Sequence, residues 1–140
     1  MKKYLFILLL LSNAAIAQTA ECSSRDAYAA DSVVDYLDSW HNANLFYRQF
    51  KACDDGGIAE GVSEKIAQLL VNQWSKLDEL LVISSHDPAF KTFVLSHIDG
   101  TLNINDLRKI KNLAETNCPK IAIEACAELA KEAAEAIKNP

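Results

Sequence analysis

The chain reads as an all-α domain, a single compact bundle of about five helices stapled by two disulfides. Three observations lead there. Apolar residues recur at intervals of three and four along most of the 140 residues. No stretch alternates apolar and polar residues as a half-buried strand would, and β-branched residues are scattered. All four cysteines, Cys22, Cys53, Cys118 and Cys126, come after an N-terminal segment with the pattern of an export signal, and an even cysteine count in an exported domain reads as a disulfide framework.

Residues 1–17 carry that signal. Lys2 and Lys3 provide the positive start, Tyr4 to Leu11 the short apolar core, and Ala15-Ile16-Ala17 the small residues a signal peptidase needs. The apolar run is well short of the about 20 residues of a permanent membrane anchor, and no second run of that length occurs. Glu21 before Cys22 does not suit lipidation, which takes a small residue there. The expected mature domain is residues 18–140, located in the periplasm without a membrane anchor. A chain of this size buries roughly 65% of its unfolded surface, enough for one core and too little for two domains. With Lys2 and Lys3 removed, twelve basic side chains face nineteen acidic ones, a net charge of −7. That balance argues against nucleic acid or anionic lipid and would attract a basic partner.

The first helix is expected from Asp31 or Ser32 onward, with Val33, Leu37, Trp40, Asn44 and Tyr47 on one face and Leu45, Phe46 and Phe50 widening it. It stops at Cys53-Asp54-Asp55-Gly56-Gly57, where paired glycines permit a positive φ and Asp54 or Asp55 can cap the next helix. The second and longest helix carries Ile58, Val62, Ile66, Leu69, Leu70, Gln73, Leu77 and Leu80. Ser75 and Asp78 there have the spacing of an internal capping box, which would break it after Trp74. Asp87-Pro88 is the sharpest helix start, with proline where its missing N–H costs nothing. Phe90, Phe93, Val94 and His97 share that third helix's inner face, and Asp99-Gly100 ends it. Asn103 or Asn105 caps a fourth helix packed through Leu107, Ile110, Leu113 and Ala114. The last helix comes after Pro119, carrying Ile121, Ala125, Cys126, Leu129, Ala130, Ala133 and Ile137. Its alanine-rich inner face is flat and lets a neighbour approach closely. The cysteines allow three pairings. Joining Cys118 to Cys126 requires a turn at Pro119 to Ile121 and a helix start near Ala122, because an unbroken helix would hold them roughly 12 Å apart, beyond the about 7 Å a bridge spans. Cys22 would then tie the N-terminal arm to Cys53.

The sequence contains no recognised catalytic set and implies no cofactor. His41, His86 and His97 are not spaced as metal ligands, and there is no Cys-x-x-Cys pair. The segment Asp99 to Asp106 imitates the second half of a calcium loop, but Leu95 and His97 would occupy its first ligand positions. A helix end and then an asparagine cap account for the same residues. Asp54 and Asp55, with Glu60 and Glu64 one and two turns on, form the densest acidic spot, and capping beside a helix N-terminus is its simpler explanation. A Cys-His dyad needs a free thiolate, which disulfide bonding removes. Trp40, Trp74, Tyr36, Phe46, Tyr47 and Phe50 are expected in the core, with any that remain outside serving as anchors for a protein partner.

An export signal, about five helices, and cysteines at the first interhelical turn and in the C-terminal helical pair form a combination that resembles the periplasmic immunity proteins of type VI secretion amidase effectors. The stretch Trp40 to Trp74, around Cys53-Asp54-Asp55-Gly56-Gly57-Ile58-Ala59-Glu60-Gly61, has the look of a family signature. The resemblance implies a non-enzymatic protein that inhibits a secreted cell-wall amidase toxin, acting as a homodimer that inserts a helix or loop into it. On that reading the partner-binding residues are Ser85, His86 and Asp87 in the turn from Ser84 to Pro88, or Asp54 and Asp55 in the acidic loop. The rival expectation is a periplasmic helical protein with a chaperone or envelope-accessory role. An enzyme would need a deep pocket lined by at least two of His41, Asp54, Asp55, His86 and His97.

Overall fold

A computed structural model describes residues 21–140, so the expected export signal and its expected cleavage point lie outside the described residues. The described residues form seven α-helices: α1 (Ser24–Val34), α2 (Trp40–Phe50), α3 (Gly56–Asn72), α4 (Leu77–His86), α5 (Pro88–Ser96), α6 (Ile104–Thr116) and α7 (Ile123–Lys138). No strand occurs among them. The all-α class therefore stands, with seven helices in place of about five, because the first two expected helices are each divided.

The first division falls between Val34 and Trp40. The Ser39 hydroxyl caps α2 by accepting the Asn42 N–H. The Asn42 side chain donates back to the Tyr36 carbonyl and the Asp38 carboxylate, at 3.1 and 2.8 Å. These bonds satisfy backbone groups that a continuous helix would have paired internally. The apolar spacing from Val33 through Leu37 to Trp40 runs straight across the break and conceals it. In α2 the buried face is Trp40, Ala43, Phe46, Tyr47 and Phe50. Tyr36, expected in the core, is 70% exposed.

The second division comes after Asn72, where a 3₁₀ turn at Trp74–Lys76 leads into α4. No side chain caps α4, so the Ser75–Asp78 box is not formed. Tertiary bonds hold the break instead: the Gln73 amide donates to the Asp38 carbonyl at 3.0 Å and the Trp74 indole N–H to the Asn117 carbonyl at 2.9 Å. Asp87 likewise makes no side-chain cap, although Pro88 does occupy the first turn of α5. Asp55 caps α3 through the Gly56 N–H, and Gly56 takes the positive φ, at 53°. Asn103 caps α6.

Packing is organised on two sides. Tyr47 of α2 meets Phe93 and Phe90 of α5 at ring separations of 5.0 and 5.7 Å. On the other side α7 lies along α6, its Ala125, Leu129, Ala133 and Ala136 facing inward. Small side chains there permit close approach, in keeping with the alanine-rich sequence. Both disulfides are formed, Cys22 with Cys53 and Cys118 with Cys126. The second spans a Cα separation of 6.1 Å. A 3₁₀ turn at Lys120–Ala122 makes that distance reachable, and α7 begins only at Ile123.

Two measurements test this arrangement. Non-reducing peptide mapping should recover Cys22 linked to Cys53 and Cys118 linked to Cys126, whereas four alkylatable thiols would contradict it. Replacing the fully buried Phe90 by alanine should lower unfolding free energy by about 3–5 kcal/mol, read from urea titration.

Candidate functional site

His97 caps the end of α5 and is only 4% exposed. Its ring lies edge-on to Phe93 at 4.5 Å. Its Nε2 is 3.0 Å from Asp54 Oδ2, and its Nδ1 is 2.8 Å from the Ser63 hydroxyl of α3. Ser63 donates in turn to Asp99 at 3.2 Å. The contacts run without a gap from Asp54 through His97 and Ser63 to Asp99. Asp99 also accepts the Thr101 N–H, which turns the chain towards α6 and leaves the calcium-like segment with an internal role.

Serine, histidine and aspartate are the residue types of nucleophilic hydrolases, yet position assigns this group a different task. Ser63 is 1% exposed in the body of α3, and its hydroxyl is already engaged on two sides. A substrate carbonyl has no route to it. The cluster clasps the α2–α3 turn, α3 and the segment after α5 to one another. Asp54 thus works inside the fold, whereas Asp55 caps α3 with one carboxylate oxygen and remains exposed. Among the described residues no group of three His, Cys, Asp or Glu side chains is arranged to hold a metal ion.

The other candidate segment lies at the corner between α4 and α5. Ser85 donates to the Val82 carbonyl at 2.7 Å, and His86 Nδ1 lies 2.9 Å from the same oxygen. A carbonyl can only accept, so in this contact Nδ1 is the donor. Both side chains satisfy the C-terminal end of α4 while remaining exposed. Asp87 is half-buried. The corner forms a ridge between two clefts. One, of about 340 Å³, is lined by Leu81, Ser84, Ser85, Pro88, Lys91 and, across from them, Ile121, Ala122, Glu124 and Ala125. The other, of about 460 Å³, is lined by Asn44, Arg48, Val82, Ile83, His86 and Asp87. Neither brings together two of His41, Asp54, Asp55, His86 and His97.

Three aliphatic side chains near this ridge stand in solvent: Val82 at 61%, Ile121 at 77% and Ile123 at 68% exposure. Sequence reasoning misses them. Helical spacing places Ile121 on the inner face of the last helix, but the turn at Lys120–Ala122 buries Ala122 and points Ile121 outward. The signal is present in Pro119 and the short cysteine spacing, which require that turn. Beneath the ridge Lys91 of α5 bonds Glu128 of α7, with Nζ 2.8 Å from Oε2. The hydrogen bond that Lys91 donates to Glu128 chiefly raises the Lys91 pKa above its ordinary 10.5; burial opposes the rise, and the charges of Glu128 and Glu124 add to it.

No protein-family model, curated protein or solved structure matches the chain. Among the described residues no helix is long and apolar enough to cross a membrane.

Replacing His97 by alanine should leave the Asp54 carboxylate without its partner and cost about 3 kcal/mol, with Ser63→Ala costing about 1–2 kcal/mol; chemical denaturation reads both. The Lys91–Glu128 pair, whose side chains are about a third exposed, should contribute about 0.5–1 kcal/mol. Because the Lys91 pKa is raised in the folded state, that contribution is complete below the unfolded value and disappears as pH rises through the folded one. The stability difference between wild type and Lys91→Gln should therefore hold at about pH 8 and shrink as pH rises above the ordinary 10.5 of lysine.

Proposed function

We propose that this chain is an exported binding protein whose contact surface is the α4–α5 corner, and that its role is immunity: inhibition of a secreted cell-wall amidase toxin in the periplasm. The observation that carries the binding reading is the group of exposed Val82, Ile121 and Ile123 about a ridge bearing Ser85, His86 and Asp87. Burying an aliphatic side chain contributes about 1.5–3 kcal/mol, so these three supply much of an interface, while Tyr28, Tyr36 and Leu45 are exposed on other helices and loops. The Cys118–Cys126 bridge encloses the turn that displays two of them. A surface held in its bound shape loses little entropy on association.

Immunity is supported by the export signal, the paired cysteines and the resemblance they form to periplasmic immunity proteins. The acidic charge suits a basic toxin and speeds its capture. These aliphatics are already exposed in the folded protein, without an acid trigger, which favours a standing interface over a stress chaperone that uncovers apolar surface on acidification.

The test is periplasmic co-expression with a secreted amidase encoded beside this protein's gene. Cells should survive and a stable complex should purify; lysis without a complex would end the immunity reading. Val82→Asp, at an exposed position, should leave the melting temperature unchanged while weakening the complex at least about tenfold.

A further inference from the structure

The cleft between the α4–α5 corner and the Cys118–Cys126 turn contains a polar atom that the fold leaves unused. Ser84 is 9% exposed, lines the cleft, and its hydroxyl has no hydrogen-bond partner. A desolvated hydroxyl left unpaired costs about 1–3 kcal/mol. Its neighbour Ser85, one residue on, is satisfied by the Val82 carbonyl. Asn44, in the cleft on the other side of the ridge, likewise has an unpaired side-chain nitrogen. Orphaned polar atoms on both flanks of one ridge are expected where a partner completes the hydrogen bonding.

The charges of the cleft select the partner. Lys91 is the only cation lining it, and Glu128 already holds that ammonium. Glu124, at the mouth, forms no ion pair of its own among the described residues, so Glu124, Glu128 and Lys91 together carry a net negative charge. Leu81, Pro88, Ala122 and the exposed Ile121 provide the apolar walls. We infer that this cleft receives a protein segment that sets an aliphatic side chain between Pro88 and Ile121 and a Lys or Arg on Glu124, and that the Ser84 hydroxyl, covered in the free protein, rotates to meet a main-chain polar group of that segment. The inference rests on the binding role proposed above and adds the chemistry of the segment bound.

Two capped peptides test it on the mature chain, one containing Leu-Leu-Arg and the other Leu-Leu-Glu, by amide chemical-shift titration. The Arg peptide should shift signals clustered at Ser84, Ser85, Ile121, Ile123 and Glu124, and bind at least about fivefold tighter than the Glu peptide. Glu124→Lys should reverse that preference, and Ile121→Asp should weaken both peptides; each position is exposed, so folding is retained. Ser84→Ala should weaken binding with the melting temperature equal or higher, because it removes an unpaired buried hydroxyl. Absent shifts, shifts that cluster elsewhere, or an unchanged preference in Glu124→Lys would overturn the inference. So would a dimer in sedimentation that Ile121→Asp converts to monomer while the peptides fail to bind, since a second copy would then be the occupant. If the peptides bind as stated and co-expression gives no protection, the cleft stands and the immunity role falls; protection that survives Glu124→Lys and Ile121→Asp sinks the cleft alone.

Discussion

The His97 imidazole is the point at which segments far apart in the chain are held to one another. Through it, Asp54 and Ser63 are joined across 43 and 34 residues of sequence, and Ser63 extends the link to Asp99. Hydrogen bonds among partly buried groups are strongly directional, and removing any member strands another. That makes the cluster a device for orientation more than for net stability, since burying ionisable groups has a desolvation cost of its own. It sets the turn that carries Cys53, and so where Cys22 and the start of α1 are pinned. It also anchors the end of α5, whose other end begins at the exposed corner.

The two disulfides act at different scales. Cys22–Cys53 closes a long stretch and secures a helix that buries only Ala30 and Val34 by itself. Such a helix has little apolar area to hold it and depends on the covalent tie. Cys118–Cys126 closes a short loop and governs which side chains face outward. It joins the start of the turn to α7, buries Ala122, and leaves Ile121 and Ile123 in solvent. The proposed contact surface is therefore a by-product of how the last interhelical turn is closed.

Much of this fold is legible residue by residue. Asp55 with Gly56, Pro88, Asn103 and the turn after Pro119 are local signals, and local chemistry decides them. The break between Val34 and Trp40 is not legible, because Leu37 keeps the apolar rhythm while lying outside any helix. The interruption after Asn72 has a local sign in Ser75 and Asp78, but distant backbone carbonyls are what hold it. At the candidate site the corner residues Ser85, His86 and Asp87 are marked by their position before a helix start, whereas nothing in the spacing marks Val82, Ile121 and Ile123 as exposed. Periodicity reports that a residue is apolar and regularly placed, and it does not report whether another element arrives to cover it.

By itself the amino-acid sequence determined the helical class, the acidic balance, the disulfide framework and the pattern of an export signal, all properties of composition, spacing and short-range capping. Tertiary structure decided what those parts do. It committed His97, Ser63 and Asp54 to an internal clasp, placed Ser84 in a cleft without a partner, and turned two isoleucines outward. These outcomes depend on which surfaces meet across long separations, and burial or exposure results from that meeting rather than from the residue's own chemistry.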